Sequence, residues 1–195
     1  AASVEFSHRK LGASVIGLGA LLPQITKFGS LLTNIEGADE RTTTTGHGGT
    51  VHLIAETVKK VLEQPSIAER FNGKIGVIGG AGSIGWSSIT AVRHTIPDME
   101  IYTFDTRTDK LAERLSDELA KDIVLGNGVI DVLEKTDVII SAITSVIDID
   151  EEEERVGRRI DLHGKVFIDD SQPGCFHRQQ IEDRGRELAE MLNKF

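Results

Sequence analysis

The segment "KIGVIGGAGSIG", residues 74–85, constrains the fold of this chain more than any other stretch. Apolar, branched residues that favour a buried strand end in glycines with the spacing G-x-G-x-x-G, and a helical pattern follows over "SIGWSSITAVRHT". Backbone N–H groups at such a strand–loop–helix junction bind phosphate without a positively charged side chain. We therefore predict a dinucleotide-binding loop, although a glycine-rich turn without a ligand has the same pattern. Its predicted cofactor-binding residues are Gly80, Gly82, Ser83, Ile84 and Gly85.

Each glycine of this motif has a separate expected task. Gly80 permits the tight turn, Gly82 lets the backbone approach a pyrophosphate, and Gly85 lets the helix pack closely on its strand.

The choice of cofactor depends on two residues after the second predicted strand, "EIYTFD". Asp105 lies 20 residues after Gly85 (105 − 85), where an acidic side chain accepts hydrogen bonds from the adenosine ribose hydroxyls. Arg107 is placed to pair with a 2′-phosphate, or is a solvated residue in the first turn of a helix. Asp105 favours NAD and Arg107 favours NADP. Together the two residues slightly favour NAD, and the sequence leaves the choice between NAD and NADP open.

Strands and helices alternate from residue 73 onward, which indicates a parallel sheet with right-handed crossovers. The predicted fold class is α/β, a doubly wound parallel sheet (Rossmann) with a short N-terminal strand–helix extension. Residues 73–195 form the predicted NAD(P)-binding domain. Residues 1–72 are interpreted as the remnant of a substrate-side domain plus a connecting helix, whose apolar stripe begins at Val51 and is stopped by "EQPS".

Two further segments are candidates for the site. The strand "TDVIISAIT" (136–144) ends in small residues, Ser141, Ala142 and Thr144, which would leave room for the ribose and nicotinamide of a cofactor, although a simple strand end has the same pattern. The segment "TTTTGHGGT" (42–50) supplies the predicted substrate groups Thr45, His47 and Thr50. Its alternative is a loop that caps the following helix. His47 is a weak candidate for the proton donor, and no other catalytic residue is assigned.

Composition excludes several classes of partner. The chain has 22 Lys and Arg against 31 Asp and Glu, a net charge of −9, which disfavours nucleic acid and anionic lipid as partners. Apolar runs are too short to span a bilayer, and the single cysteine, Cys175, fits a cytoplasmic setting without disulfides. A small buried or loop thiol is the favoured interpretation of Cys175, ahead of a nucleophile paired with His177. No metal site is expected.

Three stretches, "LGASVIGLGA", "TTTTGHGGTVHLIAE" and "IGVIGGAGSIG", together resemble the middle of the long-chain acyl-(acyl-carrier-protein) reductases. That family belongs to a wider group with shikimate dehydrogenase-like and glutamyl-tRNA reductase-like NAD(P) domains. The resemblance covers most of residues 11–175. "IDDSQPG" falls where the family has a strand ending in Asp and a nearby proline. The other matching residues are Gly17, Leu18, Gly19 and Ala20, then Thr45, Gly46 and Thr50, and the loop glycines Gly80, Gly82 and Gly85.

The resemblance implies reduction of an acyl thioester to an aldehyde with NADPH, through a cysteine thioester. In the family this cysteine lies well C-terminal of the Rossmann unit, and Cys175 is not at the corresponding place. The family's N-terminal region is also absent, so the sequence is interpreted as a domain, a truncated relative or a portion of a longer enzyme. A missing domain or a homo-oligomeric partner could complete the site.

The predicted function is that of an NAD(P)-dependent oxidoreductase, or the cofactor-binding domain of one. It would reduce a carbonyl or acyl thioester, presented by a small molecule or an acyl carrier, through hydride transfer. The alternative is a non-catalytic domain that binds or senses a nucleotide.

Overall fold

The structure is a computed structural model that describes residues 2–19, 22–27, 29–32, 43–115 and 122–192. It divides into two compact units, Ala1–Thr50 and Val51–Phe195. The division falls inside a helix and comes earlier in the chain than the predicted boundary at residues 72 and 73. No helix among the described residues is long and apolar enough to cross a membrane.

The first unit contains short elements around a small core. Its two strands pair in parallel, with Ile16 opposite Thr43 and Gly17 opposite Thr44. A small apolar core contains Val4 and Leu18. The elements are α1 (Ala2–Arg9), β1 (Ile16–Gly17), α2 (Leu22–Ile25), a 3-10 turn (Ser30–Leu32) and β2 (Thr43–Thr44).

The packing of helix α3 (His47–Leu62) accounts for the position of the division between the units, after Thr50. Its side chains Ile54 and Val58 are buried in the core of the second unit, so most of the helix belongs to that unit. The helix also begins four residues before the apolar stripe that starts at Val51 (51 − 47), because its first turn is made of polar residues and glycines that periodicity does not detect. A short helix follows, α4 (Pro65–Ala68), with proline in its first turn.

The second unit is a doubly wound α/β sheet, which confirms the predicted fold class. All five strands run parallel, in the order β5-β4-β3-β6-β7, so the chain builds outward from β3 in one direction and then crosses to the other side. The elements are β3 (Lys74–Ile78), α5 (Ser83–Thr95), β4 (Glu100–Phe104), α6 (Thr108–Leu115), β5 (Ile123–Leu125), α7 (Val129–Lys135), β6 (Val138–Ser141), α8 (Ile149–Val156), β7 (Val166–Asp169) and α9 (Arg178–Leu192).

Both faces of the sheet are covered by helices, as parallel sheets require. On one face, Val77 packs with Val58 of α3 and Ile89 of α5. On the other face, Ile78 packs with Leu133 of α7 and with residues of α8. Neighbouring residues of one strand therefore pack into the two cores on opposite faces of the sheet. This is why the strand sequences are almost continuously apolar.

The strand register places the predicted site at one edge of the sheet. Ile78, at the end of β3, pairs with Phe104 on one side and with Ser141 on the other. Ser141 in turn pairs with Asp169 at the end of β7. The glycine-rich loop thus leaves the sheet at the point where the strand order reverses, which is where open α/β sheets bind ligands.

Candidate functional site

The turn after β3 is built on a glycine that the sequence motif did not single out. Gly79 has φ of 95°, a conformation that side chains disfavour, and its carbonyl accepts the Gly82 N–H at 2.9 Å. A Cβ on Gly79 would also lie 2.5 Å from the carbonyl oxygen of Ala142. The tight turn predicted for Gly80 therefore depends on Gly79 instead.

Gly80 and Gly85 are required by close packing. A Cβ on Gly80 would lie 2.0 Å from the Thr103 hydroxyl oxygen, so Gly80 lets the loop lie against β4. A Cβ on Gly85 would lie 2.1 Å from the Gly79 carbonyl oxygen, so Gly85 lets α5 begin directly on the turn. Neither close neighbour is the flexible end of a long side chain, which makes both positions intolerant of substitution.

The N-terminus of α5 has no side-chain cap among the described residues. Gly82 is its N-cap, with extended backbone and no side-chain hydrogen bond to the helix. The N–H groups of the first helical residues, Ser83, Ile84 and Gly85, have no acceptor one turn earlier within the helix. These N–H groups carry the positive end of the helix dipole and suit a phosphate.

Asp105 is held inside the loop by several hydrogen bonds. Asp105 is only 4% exposed, and its Oδ2 accepts the Ala81 N–H at 2.9 Å. Arg107 donates to Oδ1 from its backbone N–H at 2.9 Å and from Nε at 3.0 Å, and to Oδ2 from Nη2 at 2.9 Å. Burial raises the pKa of Asp105, but the hydrogen bonds and charge of Arg107 outweigh it, so the pKa lies below its usual value.

These hydrogen bonds determine which groups of Asp105 and Arg107 a ligand can contact. Both carboxylate oxygens of Asp105 are engaged, while the Arg107 side chain is 54% exposed. The Nη2 atom of Arg107 would lie 3.4 Å from a Cβ on Gly82, so the guanidinium lies beside the start of α5. Among the described residues, two of its five N–H donors bond to Asp105. The exposed group next to the loop is therefore a cation.

On the β6 side of the loop, the predicted residues divide into buried and exposed ones. Ser141 is fully buried and its hydroxyl donates to Asp169 Oδ1 at 2.6 Å. The structure thus gives Ser141 a supporting contact rather than a free face toward a cofactor. Ala142 donates its N–H to the Ile78 carbonyl at 3.0 Å, and Thr144 is exposed three residues beyond the end of β6.

Asp169 and Ser171 belong to the same edge, in the segment "IDDSQPG", and neither was predicted as a site residue. The signal for them is a strand that ends in a carboxylate and is followed by the turn residues "SQPG". Cys175 lies beside them, fully buried, and donates its backbone N–H to Asp169 Oδ2 at 2.8 Å. Burial and the negative charge of Asp169 raise the pKa of the Cys175 thiol to about 12, so a thiolate is not available at neutral pH. Of the favoured interpretation of Cys175, a small buried or loop thiol, the structure shows the buried thiol.

The predicted substrate residues lie in the first unit. The Thr45 hydroxyl accepts the His47 N–H at 3.3 Å, as in a capping interaction at the start of α3. His47 and Thr50 are half-buried residues of the first turn of that helix. Their role toward a substrate stays a prediction. Among the described residues, no group of three or more His, Cys, Asp or Glu could hold a metal ion.

No protein-family model and no curated protein matches this chain. Among solved structures, it is similar to the nucleotide-binding domain of glutamyl-tRNA reductase from Thermoplasma volcanium, with 18% identity and a TM-score of 0.43 over 74% of this chain and 96% of that one. It is also similar to CmnK, with 12% identity and a TM-score of 0.40 over 55% of this chain and 33% of that one. The chain thus spans nearly all of the first and about a third of the second.

Proposed function

We propose that this chain binds a nicotinamide dinucleotide through the Gly79–Gly85 loop. Two features at the point where the strand order reverses carry the proposal. In the described part of the chain, the N-terminus of α5 has no side-chain cap, and the loop before it has glycines at positions where a side chain would collide with its neighbours. The pyrophosphate would accept hydrogen bonds from the first N–H groups of α5.

The single tryptophan provides a direct test of cofactor binding. Trp86 lies in the first turn of α5 and its backbone N–H donates to the Gly82 carbonyl at 3.1 Å. The Arg114 guanidinium lies 5.3 Å from the centroid of its indole ring. We expect NADPH or NADH to change the Trp86 emission with a saturable dependence on concentration. Absence of any change up to millimolar cofactor, together with no heat of binding by calorimetry, would contradict the proposal.

We further propose that the site prefers NADP(H) to NAD(H). The buried Asp105 is neutralised by Arg107 and has no free oxygen for the ribose hydroxyls, whereas Arg107 keeps exposed donors beside the start of α5. Arginine is well suited to a phosphate because its planar group donates two hydrogen bonds at once. Of the two cofactors left open by the sequence, this geometry favours the one with a 2′-phosphate.

Replacing Arg107 with Ala is expected to weaken NADPH binding by about 10- to 100-fold, the value of a hydrogen bond to a charged group. NADH affinity should stay constant or rise, because the variant frees the Asp105 carboxylate for the ribose hydroxyls. Isothermal titration of both cofactors measures the ratio. Lys110→Ala removes an exposed positive charge three residues further along the chain, on α6, and serves as the control. Equal losses for NADPH and NADH in the Arg107 variant would show that it does not read the 2′-phosphate.

For the reaction, we propose hydride transfer between the cofactor and a carbonyl or acyl thioester. The resemblance of three sequence segments to acyl-(acyl-carrier-protein) reductases motivates the proposal of a thioester or acyl-carrier substrate. Cys175 does not supply the nucleophile, because its thiol is buried and protonated. The same observation supports the alternative of a domain that binds the nucleotide without catalysis. Following NADPH absorbance with an aldehyde, a 2-keto acid and an acyl thioester separates the two: cofactor binding without turnover of any of them favours the alternative.

A further inference from the structure

Asp169 is a carboxylate at the edge of the sheet where the proposed dinucleotide site lies. It is the last residue of β7, and it pairs in register with Ser141, which pairs with Ile78 immediately before the loop. Asp105 follows β4, on the opposite side of β3. Asp169 therefore lies at the same edge of the sheet as the loop, on the far side from the position of Asp105 and Arg107.

The carboxylate of Asp169 is fixed in position. Oδ1 accepts the Ser141 hydroxyl at 2.6 Å and the Ser171 N–H at 3.0 Å, and Oδ2 accepts the Cys175 N–H at 2.8 Å. The Ser171 hydroxyl in turn accepts the Ile143 N–H at 3.1 Å. Burial raises the pKa of Asp169, but the bonds from Ser141, Cys175 and Ser171 outweigh it and keep the pKa below its usual value, so the group is ionised at neutral pH.

Asp169 is also exposed, unlike the residues that hold it. Ser141 and Cys175 are fully buried and Ser171 is 8% exposed, whereas Asp169 is exposed to solvent. The backbone N–H of Cys175 donates to Oδ2, and a carboxylate oxygen has two lone-pair positions. Gly174 lies next to this oxygen, since a Cβ there would be 3.3 Å from Oδ2. The absence of a side chain at residue 174 leaves Oδ2 accessible.

We propose that Asp169 binds the carboxamide N–H₂ of the nicotinamide, and this inference rests on the proposed dinucleotide site. A dinucleotide bound at the point where strand order reverses extends across the carboxyl ends of the strands on both sides. With the adenosine end beside Asp105 and Arg107, the nicotinamide end lies toward β6 and β7. A fixed, ionised acceptor suits an amide donor and would set the orientation of the ring.

The experiment compares NADPH with 2′-phospho-ADP-ribose, which lacks the nicotinamide ring, in binding to the whole chain. Asp169→Asn is expected to lower NADPH affinity about tenfold, the effect of losing a charge-assisted hydrogen bond, and to leave the affinity for 2′-phospho-ADP-ribose unchanged. Gly174→Ala keeps the carboxylate but crowds Oδ2, and it is expected to have the same selective effect. Asp170→Asn removes the same charge one residue away and should bind both ligands like the wild type.

Each outcome separates this inference from the proposed function. If the wild type binds neither ligand, the dinucleotide site itself is wrong. If the wild type binds both and neither variant changes NADPH affinity, Asp169 does not hold the carboxamide. Equal losses of affinity for the two ligands in both variants would mean that Asp169 only supports the loop at residues 170–175. That result would overturn the inference but not the dinucleotide site. Thermal unfolding of each variant identifies a loss that comes from misfolding.

Discussion

Replacing Gly82 with valine is expected to lower dinucleotide affinity by at least about 100-fold, while the domain stays folded. Gly82 has φ of −70° and ψ of 166°, which any residue adopts, and a Cβ there would lie 3.0 Å from the Gly79 carbonyl oxygen and 3.4 Å from Arg107 Nη2. Valine methyl groups would occupy the space in front of the first N–H groups of α5. Loss of two hydrogen bonds to a charged pyrophosphate costs about 3–6 kcal/mol, which corresponds to that loss of affinity.

Two glycine variants serve as controls for Gly82→Val. Gly185→Ala adds a methyl group in open space on α9 and should leave binding unchanged. Gly85→Ala should lose both binding and stability, because its Cβ would meet the Gly79 carbonyl oxygen at 2.1 Å. Calorimetric titration with NADPH gives the affinity, and circular dichroism with thermal unfolding gives the folded state. Wild-type affinity in a folded Gly82→Val protein would remove the loop from the binding site.

The sequence predicted the sheet well because its signals there are local and strong. The helix from Ser83 to Thr95 and the strand beginning at Glu100 coincide with their predicted segments, since apolar runs alternate with amphipathic stretches and a glycine motif marks one junction. Helix α4 and the polar start of α3 were not predicted, because a four-residue element and a turn of glycine and threonine have no apolar period.

The site was predicted less completely because side-chain partners depend on tertiary contacts. The spacing predicted that Asp105 follows the second strand, but not that Arg107 folds back onto it and occupies both of its oxygens. Motif spacing likewise assigned the tight turn to Gly80, whereas the backbone turns at Gly79, one residue earlier. Asp169 lies 64 residues from Asp105 in the chain (169 − 105), and only the strand order brings both to one edge.

A second large effect is expected from Arg184, which anchors α9 to α8. Its side chain is 2% exposed and donates from Nε to Glu153 Oε1 at 2.8 Å and from Nη2 to Asp150 Oδ1 at 2.6 Å. Replacing Arg184 with Met should destabilise the protein by about 3–5 kcal/mol, because Glu153 is left as a buried charge without its partner. For a unit of this size the melting temperature should fall by about 6–20 °C, measured by calorimetry.

Arg178→Met is the matched control, since Arg178 on the same helix pairs with Glu182 but is 92% exposed. Exposed pairs contribute little, so this variant should change stability by no more than about 0.5 kcal/mol. A similar small change in Arg184→Met would show that α9 is not anchored through this ion pair.

The stability deficit of Arg184→Met should also depend on pH. Arg184 lowers the pKa of Glu153, so in the wild type the ion pair contributes fully above the unfolded value of 4.5 and is lost as pH falls through the lower, folded pKa. In the variant, burial without a partner raises the Glu153 pKa, and protonation in acid relieves the cost. The difference between the two proteins should therefore be greatest near pH 7, begin to shrink as the pH falls through the raised Glu153 pKa of the variant, and shrink further below pH about 4.5, as denaturant titrations across this range would measure. A difference that stays constant with pH would attribute the loss to packing of the arginine side chain rather than to its charge.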